Sequence, residues 1–247
     1  MKKALIVQGG WPGHDPKGVA SLFKTMLEKN DFQVEVSDTL EAYEDRKKLK
    51  QLNLIVPHWT MGELSVEQME SVLDAVAGGV GIAGVHAGLA DAFHDRPDWQ
   101  WMAGSQFVSH PGGQKVKYKV CVDSNNSSPI VDGVEDFMVE SEFYYLHVDP
   151  CVNVLATIAY PQDQGEYDVD DKVSINRDFG FAEWYFHSEY IKKCVHYSNK
   201  PVLMPAAYTK TYGKGRVFYC SVGHDSETLK QKDLNKLVLQ GMCWAAK

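Results

Sequence analysis

The sequence predicts an α/β fold, with one open, mostly parallel sheet that carries helices on both faces. Strands and helices alternate through about the first 90 residues, which is the order of βαβ units. The strands of this part are short, uninterrupted apolar runs, a pattern typical of strands that are buried on both faces of a parallel sheet. These two observations give the fold class.

The elements of the first part can be placed from their residues. Residues 16–29 carry apolar side chains at the spacing of one helical face. Ser65, with Gln68 three residues later, forms a capping-box pattern that begins a second helix. Short apolar runs alternate with these helices and predict the strands. The predicted strands are residues 3–8, 32–36, 53–57 and 79–85.

The second part of the sequence is more varied. Three further strands and a final helix are predicted at residues 115–122, 152–159 and 216–222, and at residues 233–246. The first of these strands alternates charged and apolar residues, so one of its faces is expected to lie in water. Gly213 and Gly215 predict a hairpin turn. The acidic stretch 162–179 is interpreted as a long surface loop, and residues 1–247 as a single domain.

Composition narrows the class of protein. Of the 247 residues, 44% are hydrophobic and 23% are charged, so the chain can bury a full core. The net charge of −8 disfavours a nucleic-acid partner, because an acidic surface repels phosphate backbones. The basic run at residues 46–50 is interpreted as the solvated face of a helix.

Cysteine usage and hydropathy predict a cytoplasmic protein that does not insert into membranes. The five cysteines are scattered and form no CxxC pair, which favours a reducing compartment. The apolar run near the N-terminus ends at Gln8-Gly9-Gly10, too early for a signal peptide. The uncharged run at residues 75–90 has only 16 residues, five of them glycine, and is too short to span a bilayer.

Four histidines come directly after, or in the loop that follows, a predicted strand. They are His14, His58, His86 and His224. The carboxyl ends of parallel strands share one edge of a sheet, where ligands bind in open α/β folds. We therefore expect these imidazoles to converge in one crevice although about 210 positions separate the first from the last.

The most specific local motif is Gly84-Val85-His86-Ala87-Gly88. A strand, a Gly-x-residue-x-Gly turn and a helix form the pattern of a nucleophile elbow, which projects its central side chain at the top of a sheet. The central residue here is histidine instead of serine or cysteine. Imidazole is a weak acylating nucleophile, but it is a good base, acid or metal ligand near pH 7.

Several segments resemble the ThuA-like family, which is named for trehalose utilisation. The run from Met204 to Tyr219, followed by Gly223-His224, carries the strongest likeness. Gly84-Val85-His86 resembles the family's elbow, and Gly104-x-x-Phe107-x-x-His110-Pro111 resembles its Gly-x-x-Phe-x-x-His-Pro segment. Residues 140–144 resemble its acidic Asp-Glu-x-Tyr motif, with Ser141 in place of the first acid.

The resemblance implies a flavodoxin-like fold similar to that of class I glutamine amidotransferases. Those enzymes carry cysteine at the elbow, where this chain has His86, and a His-x-Glu pair after the last strand. The corresponding residues here, 223–227, read Gly-His-Asp-Ser-Glu and do not match that spacing. Without a thiol no glutamyl thioester can form, so glutaminase activity is not expected.

The resemblance further implies a carbohydrate-processing enzyme that acts on oxidised (3-keto) disaccharides made by a partner dehydrogenase. A ketone at C3 acidifies the hydrogen at C2, and its removal leads to isomerisation or to loss of the group at C1. Such a site needs a base, an oxyanion stabiliser and an acid. The residues proposed for these catalytic roles are His86, His224 and Glu142. The residues proposed to bind substrate are His14, His58, Trp59, His110 and Tyr144.

Three alternatives remain at this point. A divalent metal that polarises the carbonyl would be bound by His14, His86, His224 or Glu142, although no HxxxH or HxH spacing supports one. The protein could instead be a sugar-binding or regulatory module without catalysis, or a metal-dependent hydrolase. No complete P-loop is present, so use of ATP is not expected. An edge strand and the apolar C-terminal helix favour a homo-oligomer.

Some aromatic and polar residues have ordinary structural interpretations. Trp59, Trp99 and Trp101 could stack on sugar rings, but aromatic side chains of this kind are more often part of a core. Asp91 and His94 are three residues apart on a predicted helix and are interpreted as a surface pair.

Overall fold

A computed structural model of the chain describes residues 1–110, 113–159 and 203–247. The predicted acidic loop at residues 162–179 lies outside the described residues, as does Pro111. Within these ranges, nine strands form the main sheet and two form a small separate one. The strands are β1 (Lys2–Gly10), β2 (Phe32–Ser37), β3 (Leu54–Thr60), β4 (Gly81–Val85), β5 (Ser105–Ser109), β6 (Val116–Val122), β7 (Phe137–Ser141), β8 (Tyr145–Val148), β9 (Asn153–Ala159), β10 (Leu203–Tyr212) and β11 (Gly215–Cys220).

Six helices accompany these strands in the described ranges. They are α1 (Pro16–Glu28), α2 (Arg46–Leu49), α3 (Val66–Ala77), α4 (Ala87–Ala90), α5 (Pro97–Ala103) and α6 (Lys232–Ala245). Helix α1 contacts α6, and α3 contacts α5, while strand β11 contacts α6 as well as α3 and α5. Since β11 is almost wholly buried, the two helix pairs cover opposite faces of the sheet. None of the helices in the described ranges is long and apolar enough to cross a membrane.

The main sheet has the order β2-β1-β3-β4-β11-β10-β9-β6-β7. Its first five strands are parallel, and the remaining pairings are antiparallel. The predicted α/β class is therefore confirmed, but the sheet is mixed and not mostly parallel. The reason is local: Gly213, in the left-handed region at φ 58°, turns the chain in a hairpin, so β10 and β11 pair antiparallel with Tyr212 opposite Gly215.

The antiparallel half has the wet face that its sequence predicts. Strands β6 and β7 alternate buried and exposed residues along their length, unlike the fully buried β4. The predicted capping box of α3 is also confirmed. The Ser65 hydroxyl accepts from the Gln68 backbone N–H at 3.1 Å, and the Gln68 side chain accepts from the Ser65 N–H at 3.0 Å.

The parallel strands fix the place of the site. Strands β1, β3, β4 and β11 end at Gly10, Thr60, Val85 and Cys220, and because they run in one direction these ends lie along the same edge. The segments that follow them carry His14, His86 and His224. This edge is where open α/β sheets bind ligands.

Candidate active site

The turn between β4 and α4 is a strained elbow that holds His86. The backbone of His86 has φ 52° and ψ −123°, a conformation that residues with a side chain seldom adopt. Its N–H donates to the Cys220 carbonyl at 2.6 Å, and the Tyr219 hydroxyl donates to the His86 carbonyl at 2.9 Å. Both contacts come from β11, so the parallel sheet itself fixes the elbow.

The two glycines of the elbow allow a close approach that any side chain would prevent. A Cβ atom at Gly84 would lie 2.2 Å from the Leu89 Cβ, and one at Gly88 would lie 2.6 Å from the Pro57 carbonyl oxygen. The turn between strand and helix therefore packs directly on its neighbours, which explains the glycine spacing found in the sequence.

Replacing Gly88 with alanine is expected to destabilise the protein, although alanine normally favours helix over glycine by about 1 kcal/mol. The new Cβ would meet backbone atoms of Pro57 and His58, which cannot move aside without displacing β3. We expect the free energy of unfolding to fall by about 1–3 kcal/mol. Denaturant titration of both proteins measures this change, and an alanine variant as stable as the parent protein would contradict the packing described here.

The side chain of His86 lies between a backbone carbonyl and a carboxylate. Its Nδ1 is 2.7 Å from the Ser221 carbonyl oxygen, which can only accept, so Nδ1 carries the hydrogen. Its Nε2 is 3.0 Å from Oε2 of Glu142. In a neutral imidazole this Nε2 is an acceptor, and two acceptors then face each other. A proton or a metal ion between them is required to make the contact favourable.

His14 approaches the same carboxylate from the loop after β1. It ends a short 3₁₀ turn, Pro12–His14, and its Nδ1 is 2.7 Å from the Thr60 hydroxyl at the end of β3. Its Nε2 lies 3.6 Å from Oε2 of Glu142, too far for a hydrogen bond. That nitrogen is buried and has no hydrogen-bond partner in the described part of the chain.

His224 completes the group from the loop after β11. Its Nδ1 lies 3.5 Å from Oε2 of Glu142, and its side chain, at 13% exposure, is the most accessible of the group. One ligand atom each of His14, His86, His224 and Glu142 lies within 4.8 Å of the others. We call these four residues the histidine–glutamate cluster. Three of the four histidines expected to converge are therefore brought together.

Charge in this cluster is distributed unequally. Burial alone would raise the pKa of Glu142, but the imidazoles of His14, His224 and His86 hold it well below its usual range. Burial lowers the pKa of His14 to about 3, so this imidazole is neutral near pH 7. Burial also opposes the charge on His224, but the adjacent Glu142 carboxylate raises its pKa. The buried carboxylate therefore lies beside one imidazole that is neutral near pH 7, that of His14, and beside another whose protonated form it stabilises, that of His224.

The donor set suits a divalent metal. Catalytic zinc sites often use two histidines and one glutamate, and imidazole with carboxylate also suits iron. The separations of 3.0–3.6 Å between Glu142 and the three imidazoles bracket the value of about 3.4 Å expected between ligands of tetrahedral zinc. The imidazoles of His14 and His86 each have a second contact, with the Thr60 hydroxyl and the Ser221 carbonyl, that sets their orientation. An HxxxH spacing is not required for a metal site of this kind, because the four candidate ligand residues come from four different segments.

Aromatic side chains enclose the cluster. The Tyr144 ring stacks on His86 with centroids 3.8 Å apart, and Phe107 lies 4.5 Å from Tyr144. His110, which was predicted to bind substrate, stacks on Phe107 at 6.0 Å and is near enough to lower the pKa of Glu142 by its charge. Trp11 lies on another side, 4.7 Å from His14 and 6.4 Å from His224 between ring centroids.

His58 and Trp59 have contacts that differ from those of the cluster. The Nε2 of His58 lies 3.3 Å from the His14 carbonyl oxygen, so this buried imidazole supports the loop that carries His14. Burial lowers the pKa of His58 to about 4. Trp59 packs against Gly9 and Gly62 and is partly buried. Their proposed role in substrate binding stays a prediction.

Two sequence interpretations need correction. Asp91 and His94 are not a surface pair on a helix: α4 ends at Ala90, Asp91 is buried, and its Oδ1 lies 2.5 Å from Nε2 of His94. The elbow helix is only one turn long because the chain leaves it to pair with Met61. Trp99 is fully buried, as expected, but Trp101 is 65% exposed. It lies on the outer side of α5, with its ring edge-on to Tyr212.

Sequence reasoning missed three groups that shape the cluster. Thr60 and the Ser221 carbonyl orient two of the imidazoles, and Trp11 lies beside two of them. The rule that selected His14, namely its place after a strand, applies equally to Trp11 and Thr60. The Ser221 carbonyl has no sequence signal, because any residue supplies a backbone carbonyl.

The chain is similar to several proteins over nearly all of its length. The family model described as ThuA, trehalose utilisation, matches residues 3–245. A ThuA-like protein of Bacteroides uniformis has a TM-score of 0.70 and 17% identity, covering 99% of this chain and 91% of that one. One from Parabacteroides merdae has a TM-score of 0.68 and 18% identity, covering 100% and 90%. A cytoplasmic protein of Salmonella typhimurium has a TM-score of 0.62 and 12% identity, covering 100% of both.

Because the sequence identities to these structures are low, the likenesses establish a shared fold and nothing further. A comparison of this sequence with curated proteins found no match.

Proposed function

This chain belongs to the ThuA, or trehalose utilisation, family, and on that premise we propose that it is a carbohydrate-processing enzyme whose reaction takes place at the histidine–glutamate cluster. The observation that carries the proposal is the convergence of three imidazoles on one buried carboxylate at the carboxyl edge of the sheet. Such an arrangement is typical of a reactive centre, because a fold gains little stability from burying these groups.

We propose that His14, His86 and Glu142 bind a divalent metal and that His224 moves a proton. The first three side chains are almost fully buried, whereas His224 is the outermost member of the cluster. When bound, the metal polarises a sugar carbonyl as a Lewis acid. Three protein ligands are also the usual number in a catalytic zinc site, where a further position stays open to substrate.

The proposed substrate class is an oxidised disaccharide or glycoside with a ketone at C3. His224 takes the proton from C2, and the electron pair of that C–H bond forms the C2=C3 bond of an enolate. When the C3 carbonyl re-forms, the pair moves to the C1–C2 bond, the bond from C1 to the glycosidic oxygen breaks, and that oxygen takes up a proton. The products are an unsaturated keto sugar and an alcohol, so no oxidant or co-reactant is needed.

The elbow supports a site in the same place as in flavodoxin-like and glutamine amidotransferase-like folds. It does not support the thiol chemistry of the glutamine amidotransferases. The elbow residue is His86, and the one cysteine beside it in the described sheet, Cys220, is buried. Burial raises the pKa of Cys220 to about 12, so its thiol is not ionised near neutral pH. We propose a cytoplasmic enzyme without glutaminase activity that receives its substrate from a sugar dehydrogenase.

The test is incubation of metal-loaded protein with trehalose and with 3-keto-trehalose, followed by mass spectrometry of the products. We expect the oxidised sugar alone to be cleaved, and in deuterium oxide we expect recovered 3-keto-trehalose to gain one deuterium at C2. Absence of conversion of either sugar would contradict the proposal. Loss of activity with a chelator, and its return with Zn²⁺ or Fe²⁺, tests the metal.

Metal-dependent hydrolysis is the second candidate, because the same ligand set also supports it. The two reactions differ in what happens at C2. Hydrolysis adds water at C1 and leaves the C2 hydrogen in place, whereas elimination removes that hydrogen and gives an unsaturated product lighter by one water, so a hydrated keto sugar that retains its C2 hydrogen would favour the hydrolase.

A further inference from the structure

Trp11 is a partly exposed indole beside the cluster that the proposed reaction does not use. It follows directly after β1, so it lies at the edge of the sheet where the cluster is built. Its ring centroid is 4.7 Å from that of His14 and 6.4 Å from that of His224, and its plane is steeply inclined to both imidazoles. Ligand sites usually combine apolar or aromatic surface with a few polar groups, and Trp11 supplies such a surface beside the imidazoles.

The indole is held in place by the turn that follows it. A Cβ atom at Gly13 would lie 2.3 Å from the six-membered ring of Trp11, so the ring rests directly on the glycine backbone. Pro12 begins the 3₁₀ turn, and His14 ends it with its bond to Thr60. The same residues that orient His14 therefore also fix the indole, and no rearrangement is needed before a ligand binds.

The aromatic rings on the opposite side cannot serve in the same way. Tyr144 and Phe107 are both buried, and one face of Tyr144 is covered by His86. Trp11 is only partly buried, so it can present apolar surface to a ligand that reaches His224. A pyranose ring has a comparable shape, with C–H groups on its flat faces and hydroxyl groups at its rim.

We propose that Trp11 determines specificity in this site by stacking against the C–H face of the sugar ring, while the polar rim of that ring faces His14 and His224. This inference rests on the proposed function and adds the surface that selects a pyranose. Aromatic contacts of this kind provide affinity through dispersion and loss of water from apolar surface. The indole thus acts mainly on binding, because it touches neither the carbonyl nor the proton that moves.

The experiment compares Trp11→Ala and Trp11→Phe with the parent protein, all loaded with Zn²⁺. Trp101→Ala is the matched control, because Trp101 is also exposed but lies against Tyr212. Calorimetry with trehalose, which is not expected to be cleaved, gives the dissociation constant, and product analysis with 3-keto-trehalose gives kcat and KM. Bound zinc and the thermal midpoint are measured for every variant.

We expect Trp11→Ala to raise Kd for trehalose and KM for 3-keto-trehalose about tenfold to a hundredfold, with kcat changed by less than about threefold and bound zinc unchanged. Trp11→Phe should recover most of the affinity, and Trp101→Ala should behave as the parent protein. Addition of the sugar should also change tryptophan fluorescence less in Trp11→Phe than in Trp101→Phe.

Three results would overturn the inference. Unchanged sugar affinity in Trp11→Ala would exclude stacking, and a loss of kcat with KM unchanged would mean that Trp11 only positions the imidazoles. If the parent protein neither binds nor converts either sugar, the proposed function fails together with this inference. If it converts 3-keto-trehalose and Trp11→Ala does so with the same KM, the inference on Trp11 fails alone.

Discussion

Replacing Glu142 with glutamine is expected to remove both metal binding and turnover. The substitution keeps the shape of the side chain but removes the negative charge at the centre of the three imidazoles. The glutamine amide would point either its NH₂ group or its oxygen toward the imidazoles. The NH₂ group cannot bind a metal, and the neutral amide oxygen is a weaker metal ligand than a carboxylate oxygen. We expect metal affinity to fall by at least about a hundredfold, and turnover to fall by about 10²–10⁴-fold with it.

Glu140→Gln is the matched control for this change. Glu140 lies two residues away on β7, is exposed, and pairs with Lys117 at 3.2 Å. Loss of an exposed ion pair changes stability by less than about 1 kcal/mol, so this variant should retain metal and activity. Equilibrium dialysis with Zn²⁺ and the product assay measure both quantities. A Glu142→Gln protein that binds zinc as tightly as the control would contradict the role assigned to the carboxylate.

Replacing His224 with glutamine is expected to separate metal binding from chemistry. His224 is the outermost member of the cluster, so it is the imidazole best placed to exchange a proton with a ligand. Glutamine cannot serve as a base at this position. We expect turnover of 3-keto-trehalose to fall by about 10²–10⁴-fold, while most of the zinc remains bound through His14, His86 and Glu142.

The exchange of deuterium at C2 gives a second readout for His224. A missing base should stop that exchange, whereas a lost sugar contact would raise KM and leave exchange at saturation unchanged. His147→Gln, which changes an exposed histidine on β8, is the control. Loss of zinc in His224→Gln equal to that in Glu142→Gln would show that His224 is a ligand and not the base.

The fold was largely predictable because its parallel half obeys local rules. The apolar runs at residues 3–8 and 53–57 match β1 and β3 within a few residues, and the capping box at Ser65 is formed as predicted. The antiparallel half was less predictable. Whether β10 pairs with β11 in an antiparallel direction depends on a two-residue turn, and its pairing with β9 joins strands far apart in the sequence.

The cluster was predictable in part. The positions of His14, His86 and His224 followed from the rule that parallel strands end at one edge. Glu142 did not follow from that rule, since it comes after β7 in the antiparallel half, and only the family resemblance identified it. The buried state of Asp91 was missed because the helical periodicity was continued past Ala90, where the chain instead pairs with Met61.

The most direct test of the metal site is a crystal of the protein grown with one equivalent of Zn²⁺ and measured at the zinc absorption edge. We predict one anomalous peak per chain, within coordination distance of Nε2 of His14, Nε2 of His86 and Oε2 of Glu142. A protein that binds no zinc at this ratio, with Glu142 hydrogen-bonded directly to protonated imidazoles, would contradict the account.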